Sequence, residues 1–349
     1  MVRRLKTLIR SLLSAVAWWS LAPLAVVAGR LRRRGQIVRC WPQAEIVLGP
    51  RVVLFMHFDR HGNVRRQLLD YIRAFRENGR DVVFVTNSGR LAVEAEAALR
   101  ELCAAVVIRR NAGYDFGAWA DVLDRLGLPR AETQELILAN DSLFGPLVPL
   151  GDVLRRLNYA KADVWGLTES WQLRYHLQSY FLAFGPAALR TEGFTKFWRA
   201  VRPVPMKSYV IKRYEVGLTQ AMTKLGLKCA ALWPYEMLTA MVGRDELAQL
   251  LAEEETLIGK ADPAQTMRKE QALYIRESVA QRLPLNPTSD LWRQLLLSGF
   301  PFIKRELLRD NPSDVLDVGD WCEVLREALG ADPEPIRQDL RLMLKGKAP

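Results

Sequence analysis

From Arg51 onward the chain alternates two patterns: short unbroken apolar runs rich in β-branched residues, and longer amphipathic stretches with apolar positions three and four apart. The apolar runs predict strands at Arg51–Phe58, Asp81–Thr86, Ala105–Ile108 and Glu135–Ala139. The amphipathic stretches predict helices at Val64–Glu77, stopped by Asn78-Gly79, at Leu91–Leu102, and at Phe116–Leu126, stopped by Gly127. Parallel neighbours need a crossover between them, so strict alternation of strand and helix predicts an α/β fold, a mostly parallel sheet with helices on both faces.

Ligands of such sheets bind beyond the carboxyl ends of the strands, which makes the residues just past each run the first candidates for a site. The first run delivers His57, Asp59 and His61, the second Asn87 and Ser88, the third Asn111 and then Asp115, the fourth Asn140, Asp141 and Ser142. Asn87-Ser88-Gly89 reads equally well as loop punctuation. Around Asp115 and Asn140 the aromatic residues Tyr114, Phe116, Trp119 and Phe144 favour a partly enclosed pocket over a solvated turn. After the first strand, Phe58-Asp59-Arg60-His61-Gly62 matches neither a dinucleotide fingerprint nor a Walker loop. A GxSxG elbow and HExxH are absent too, so serine hydrolase and zinc protease mechanisms have no support.

Charge changes the picture at one end of the chain. Nine of the eleven excess positive charges lie in residues 1–44, leaving +2 on the other 305 residues. That balance argues against a phosphate-tracking groove, and nucleic acid is not an expected partner. The apolar run Ser11–Gly29 sits between arginine clusters and is about 28 Å long as a helix, barely the hydrocarbon thickness. Basic flanks and paired Trp18-Trp19 suit an anionic membrane surface; a single span, a signal peptide and an amphipathic core helix stay open. The four cysteines form no CxxC pair and accompany three histidines, so neither a disulfide framework nor a zinc site is signalled.

Five separated motifs, Asn111-Ala-Gly-Tyr-Asp-Phe-Gly-Ala-Trp119, Asn140-Asp-Ser-Leu-Phe-Gly-Pro-Leu147, Asp163-Val-Trp-Gly-Leu-Thr168, His176-Leu-Gln-Ser-Tyr-Phe181 and Gly299-Phe-Pro-Phe-Ile-Lys-Arg-Glu-Leu-Leu308, together resemble the rhamnan synthesis protein F family, from about residue 50 to about residue 312. The resemblance implies a glycosyltransferase of rhamnose-rich surface polysaccharide or O-antigen assembly. It would take a nucleotide-sugar donor such as dTDP-rhamnose and a lipid-linked saccharide acceptor, at the cytoplasmic side of the inner membrane.

The same order of motifs resembles the GT-A fold. Asn140-Asp141-Ser142 stands where that fold keeps an Asp-x-Asp-type motif, with one carboxylate in three positions, so Asp141 is the candidate ligand for Mg²⁺ or Mn²⁺. Such an ion would neutralise charge growing on the leaving diphosphate; a metal-free site of basic side chains is the alternative. Asp59, Asn87, Asn111, Gly113, Tyr114, Asp115, Asn140 and Ser142 are the donor-binding candidates. Tyr214-Glu215-Val-Gly-Leu218 resembles the helix-opening acid of inverting enzymes and nominates Glu215 as general base, against the alternative of a glutamate satisfying a helix dipole. His176 is a further catalytic candidate beside the diphosphate or acceptor. Trp165, Thr168, Gln178 and Ser179 are candidates for the acceptor groove, Trp165 as a stacking platform.

The expected organisation is a basic, apolar N-terminal segment over 1–49, a GT-A-like domain over 50–245 and a helical extension over 246–349, in which Pro284 to Pro312 reads as a packing or membrane-adjacent helix pair. A sugar-phosphate transferase and a non-catalytic scaffold of the assembly complex are the competing functions. Retention of phosphate in the product separates the first, and tolerance of losing Asp141 and Glu215 the second.

Overall fold

A computed structural model of the chain describes Pro23 and residues 26–29, 35–242 and 263–344. Most of the N-terminal basic segment, and with it the membrane-contact reading, lies outside the described residues. Among the described residues no helix is long and apolar enough to cross a membrane. The chain forms two compact units, one of Met1–Asp141, Gly151–Leu167 and Tyr175–Ala230, the other of Ser142–Leu150, Thr168–Arg174 and Ala231–Pro349. The second therefore draws two short pieces from the middle of the chain, in addition to the C-terminal residues that the sequence pattern sets apart at 246.

The first unit is built on strands β1 (Ile37–Trp41), β2 (Arg51–His57), β3 (Asp81–Thr86), β4 (Ala105–Arg109) and β5 (Glu135–Asn140), with helices Arg66–Glu77, Val93–Leu102 and Tyr114–Leu126 between them. Later in the chain come β6 (Leu143–Phe144), which belongs to the second unit, then β7 (Val164–Ser170), β8 (His176–Leu177), β9 (Phe181–Phe184) and β10 (Cys229–Trp233). The large sheet runs in the order β1-β4-β3-β2-β5-β9-β7-β10, with β8 paired to β7. Strands β4, β3, β2 and β5 are mutually parallel, whereas β1 joins β4 and β9 joins both β5 and β7 antiparallel.

Val52–Phe55 of β2 and Leu136–Ala139 of β5 are fully buried. Consecutive residues point to opposite faces, so both faces of the sheet centre are covered, which is why these strands read as unbroken apolar runs rather than alternations. The register pairs His57 with Thr86, Thr86 with Ile108 and Met56 with Asn140, so the polar strand ends line up along one edge. At the other edge, Arg80 and Glu135 form a buried ion pair at 2.8 Å, and the Tyr159 hydroxyl donates to Glu135 at 2.9 Å. Those charges satisfy one another within the fold.

The second unit is mainly helical, with helices Pro263–Ala280, Pro287–Asp290, Trp292–Leu297, Arg305–Asp310, Trp321–Leu329 and Glu334–Leu344. Its core gathers Phe144, Trp292, Leu296, Leu307, Leu325 and Ile336, so the Pro284 to Pro312 region packs inside the protein. The two-residue strand β11 (Ile303–Lys304) pairs with β6, joining two of the separated sequence motifs, Ile303 opposite Phe144 and Lys304 opposite Leu143. Gly145 adopts φ 133°, and a Cβ there would lie 2.5 Å from the Pro301 carbonyl oxygen, so only glycine fits between the two motifs.

Candidate functional site

At the carboxyl edge of the parallel strands, the loop after β4 turns through Gly113 (φ 77°) and Tyr114 (φ 54°) into the Tyr114–Leu126 helix. Two successive left-handed residues tighten this turn, and Gly113 has no room for a side chain because a Cβ would sit 2.4 Å from the Pro203 Cα. Asp115 follows at once. Its Oδ2 accepts a hydrogen bond from Asn140 Nδ2 at 2.7 Å, which brings together two residues nominated from separate motifs. Asp141, next after Asn140, is half-buried, with its backbone N–H on the Met56 carbonyl at 3.1 Å.

Asp59 sits beyond β2 and organises its own loop, its Oδ1 accepting the backbone N–H groups of His61 at 2.9 Å and Asn63 at 3.0 Å. Partial burial raises the Asp59 pKa, but those two N–H bonds and the charges of His57 and Arg65 outweigh it, and the net shift is downward. The Asp59 N–H in turn donates to Ser88 Oγ at 3.0 Å, linking the ends of β2 and β3. Asn87 is 2% exposed, its amide engaged by protein at both ends. Asn111 and Tyr114 are exposed.

Glu215 does not open a helix. The helical run starts at Lys207, passes through a π-helical turn at Ile211–Glu215 and continues through Val216–Lys224, so the helix-dipole explanation for this glutamate falls away. No strong breaker interrupts 207–224, and the one glycine, Gly217, is tolerated inside it. A π-turn widens the helix locally and often marks functional positions. One face of this run holds the His176–Ser179 segment. Glu215 Oε1 accepts the Ser179 N–H at 2.9 Å, Thr219 Oγ1 accepts the Leu177 N–H at 3.1 Å, and Gln220 Nε2 donates to the Tyr175 carbonyl at 2.7 Å. Tyr214 packs on Phe116 at 5.9 Å between ring centroids, so the glutamate-bearing turn and the first turn of the Tyr114–Leu126 helix are neighbours.

The acceptor candidates, and the catalytic candidate His176 with them, are mostly interior. Trp165 is 9% exposed with its indole N–H on the Asn158 carbonyl at 3.2 Å, so it is a core residue and not an open stacking face. Thr168 is fully buried, and His176 and Gln178 are buried. The physical reason is common to all four: they lie in or beside strands covered on both sides. Ser179 is half-buried and reaches the Glu215 carboxylate through its backbone. Ser142 falls in the second unit, its carbonyl accepting the Arg305 N–H at 3.1 Å. A cavity of about 280 Å³ lies between the Tyr114–Leu126 and Glu192–Ala200 helices, lined by Asp121, Asp124, Trp198 and Pro203 among others; none of the nominated residues lines it.

No group of three or more His, Cys, Asp or Glu converges among the described residues. Mg²⁺ is typically held by one or two carboxylates together with substrate phosphates and water. Asp141 supplies one carboxylate just past β5, and Asp115 a second at the start of the Tyr114–Leu126 helix, where it is bonded to Asn140. Sequence reasoning overlooked Arg109, whose side chain is completely buried behind these residues. The available signal was its position, a cation closing the apolar strand Ala105-Val-Val-Ile-Arg109.

The fold is thus a mixed α/β sheet with a parallel centre, extended by the antiparallel β9, and it carries an acidic turn beyond β5 at its carboxyl edge. Rhamnan synthesis protein F is the family whose pattern matches residues 82–253. Virulence protein VirA of Vibrio anguillarum (strain ATCC 68554 / 775) is 31% identical over 242 residues, which cover 68% of this chain and 72% of VirA. The chain belongs to the rhamnan synthesis protein F family. Among solved structures, the mannosyltransferase PcManGT from Pyrobaculum calidifontis, in complex with GDP-Man and Mn²⁺, is 13% identical with a TM-score of 0.32, covering 82% of this chain and 87% of that one. A nucleotide-diphospho-sugar transferase from Desulfovibrio desulfuricans G20 is 14% identical with a TM-score of 0.30, covering 66% and 98%.

Proposed function

We propose that this chain transfers rhamnose, or another deoxyhexose, from a nucleoside-diphosphate donor such as dTDP-rhamnose to a lipid-linked saccharide, with inversion at the transferred carbon. The observation that carries the reading is the pairing of Asp115 with Asn140 beside Asp141, at the strand edge where α/β sheets bind ligands. Asp141, with Asp115, would hold Mg²⁺ or Mn²⁺, which when bound supplies positive charge against the leaving diphosphate. Glu215 accepts the proton of the acceptor hydroxyl as that oxygen attacks the sugar carbon from the face opposite the phosphate. The Ser179 N–H on Glu215 Oε1 orients the carboxylate, and no other hydrogen-bond partner of that carboxylate is present among the described residues. The basic N-terminal segment would keep the enzyme on the anionic cytoplasmic face of the inner membrane, where a lipid-linked acceptor is found.

Thermal stabilisation of the purified protein by a panel of nucleotide sugars tests the reading. A ligand at one hundred times its dissociation constant adds about 2.7 kcal/mol, so the true donor stands out. Stabilisation by none of dTDP-, UDP-, GDP- and CDP-sugars, with and without Mg²⁺ or Mn²⁺, counts against it.

A further inference from the structure

Arg109 closes β4 with its side chain sealed from solvent, and its guanidinium fork reaches four groups at once. Nη1 donates to Asn87 Oδ1; Nη2 donates to the Ala112 carbonyl at 3.4 Å and the Gly117 carbonyl at 3.2 Å; Nε and Nη2 both donate to the Asp121 carboxylate, Nε at 3.1 Å. Burial pulls the Arg109 pKa down while Asp121 pushes it back up, so Asp121 supplies the counter-charge that a buried cation needs. That pair alone would satisfy the charge. The remaining bonds all end on Asn87 or on the loop and first helical turn that carry Asp115.

Asn87 passes the restraint on. With Oδ1 held by Arg109, its Nδ2 donates to the Tyr114 carbonyl at 3.2 Å. Tyr114 is the one residue of the turn for which a left-handed backbone is unfavourable, since its φ of 54° brings Cβ against the following carbonyl, a cost that glycine at 113 avoids. Such a conformation persists where its surroundings over-determine it. The bond from Asn87 falls on the carbonyl of that residue, and the next residue is Asp115, bound to Asn140.

We propose that Arg109 is a positioning residue: acting through Asn87, it pins the left-handed turn at Gly113–Tyr114 and so sets the place of the Asp115 carboxylate in the donor site. The proposal rests on the donor reading of that edge. A planar fork is required because several acceptors at different bearings must be met by one side chain, which a lysine ammonium cannot reproduce in the same geometry.

The test uses the full chain with Arg109→Lys and, separately, Asn87→Asp. Arg109→Lys keeps a cation for Asp121 and loses the fork. Asn87→Asp keeps an acceptor for Arg109 and loses the N–H given to Tyr114. Hydrogen exchange is followed in peptides covering residues 111–119 and in peptides of β2 and β5, alongside calorimetric binding of dTDP, UDP and GDP with Mg²⁺. In both variants exchange over 111–119 is expected to quicken at least about tenfold while β2 and β5 keep wild-type rates, and affinity for the nucleotide bound by wild type to fall about 10–100-fold, the usual cost of a lost supporting partner. Unchanged exchange over 111–119 overturns the proposal, as does quickened exchange with undiminished affinity. If Arg109→Lys fails to fold, Asn87→Asp decides by the same two readouts. Should wild type bind none of the three nucleotides, the donor reading fails, and the strut is judged on exchange alone.

Discussion

Glu215 accepts the backbone N–H of Ser179 through Oε1 at 2.9 Å, so the proposed base is held by the segment it faces and not by the cap of its own helix. Glutamine at 215 keeps an oxygen for the Ser179 N–H but has no basic carboxylate. Glu215→Gln should therefore leave the fold and donor affinity near wild type while lowering transfer by ~10²–10⁴-fold. Initial rates, nucleotide binding and melting temperature measured on one preparation check this. Wild-type transfer by the folded variant would move the search for the base to Asp163, Glu169 or His176.

The elements with a local signature were legible from the sequence. Asp81–Thr86 is the same strand in prediction and structure, and Arg51–Phe58 and Glu135–Ala139 each differ from β2 and β5 by one residue at the end. The antiparallel insertion of β9 between β5 and β7 was not legible, because Phe-Leu-Ala-Phe is apolar on both faces and carries no mark of direction. Strands β6 and β11, two residues each, are too short to have a period at all. For the site, residue spacing placed Asp115, Asn140 and Asp141 at one sheet edge, since strand ends are local features. Trp165 and Thr168 failed as groove residues because exposure is decided by what covers a strand, and that is a property of the whole sheet.

Asp59 makes the native protein sensitive to acid. Its folded pKa lies below the ordinary value of 3.8, because the N–H bonds from Asn63 and His61, with the nearby charges, more than offset its desolvation. A depressed carboxyl contributes stability that is present above the unfolded pKa and is lost as pH falls through the folded one. Wild type should thus melt higher than Asp59→Asn at pH 6 and 7, and the gap should shrink from about pH 4 downward. A gap that holds constant to pH 2.5 would show that the loop gains nothing from the charged form.

Asp317 is the polar centre of the second unit. It is 6% exposed, accepting Trp292 Nε1 at 3.0 Å through one oxygen and Arg293 Nε at 2.9 Å through the other. Arg293 is 5% exposed and also donates to Asp320. Removing Asp317 leaves a buried indole N–H without its acceptor and a buried guanidinium with half of its counter-charge. Asp317→Ala should cost about 3–5 kcal/mol in denaturant unfolding, whereas truncation of the exposed Leu342 should cost under about 0.5 kcal/mol.

Asp141 is where the metal question is decided. In the donor site proposed above, a single carboxylate in the acidic turn leaves two ways to neutralise a departing diphosphate: a divalent cation shared with a second acid, or basic side chains alone. Asp115 is the candidate second acid, through its bond to Asn140, the residue directly before Asp141. If the cation is used, excess EDTA should abolish transfer and Mn²⁺ or Mg²⁺ should restore it. Asp141→Asn should then cut turnover on the order of 10²-fold or more and shift the half-saturating metal concentration upward. Asp115→Asn should shift it in the same direction, since asparagine offers the ion a neutral oxygen where a charged one stood. A metal titration of transfer rate for wild type and both variants reads all three outcomes. Full transfer in excess EDTA, with Asp141→Asn still active, would assign diphosphate neutralisation to basic side chains and leave Asp141 as a structural residue of the turn.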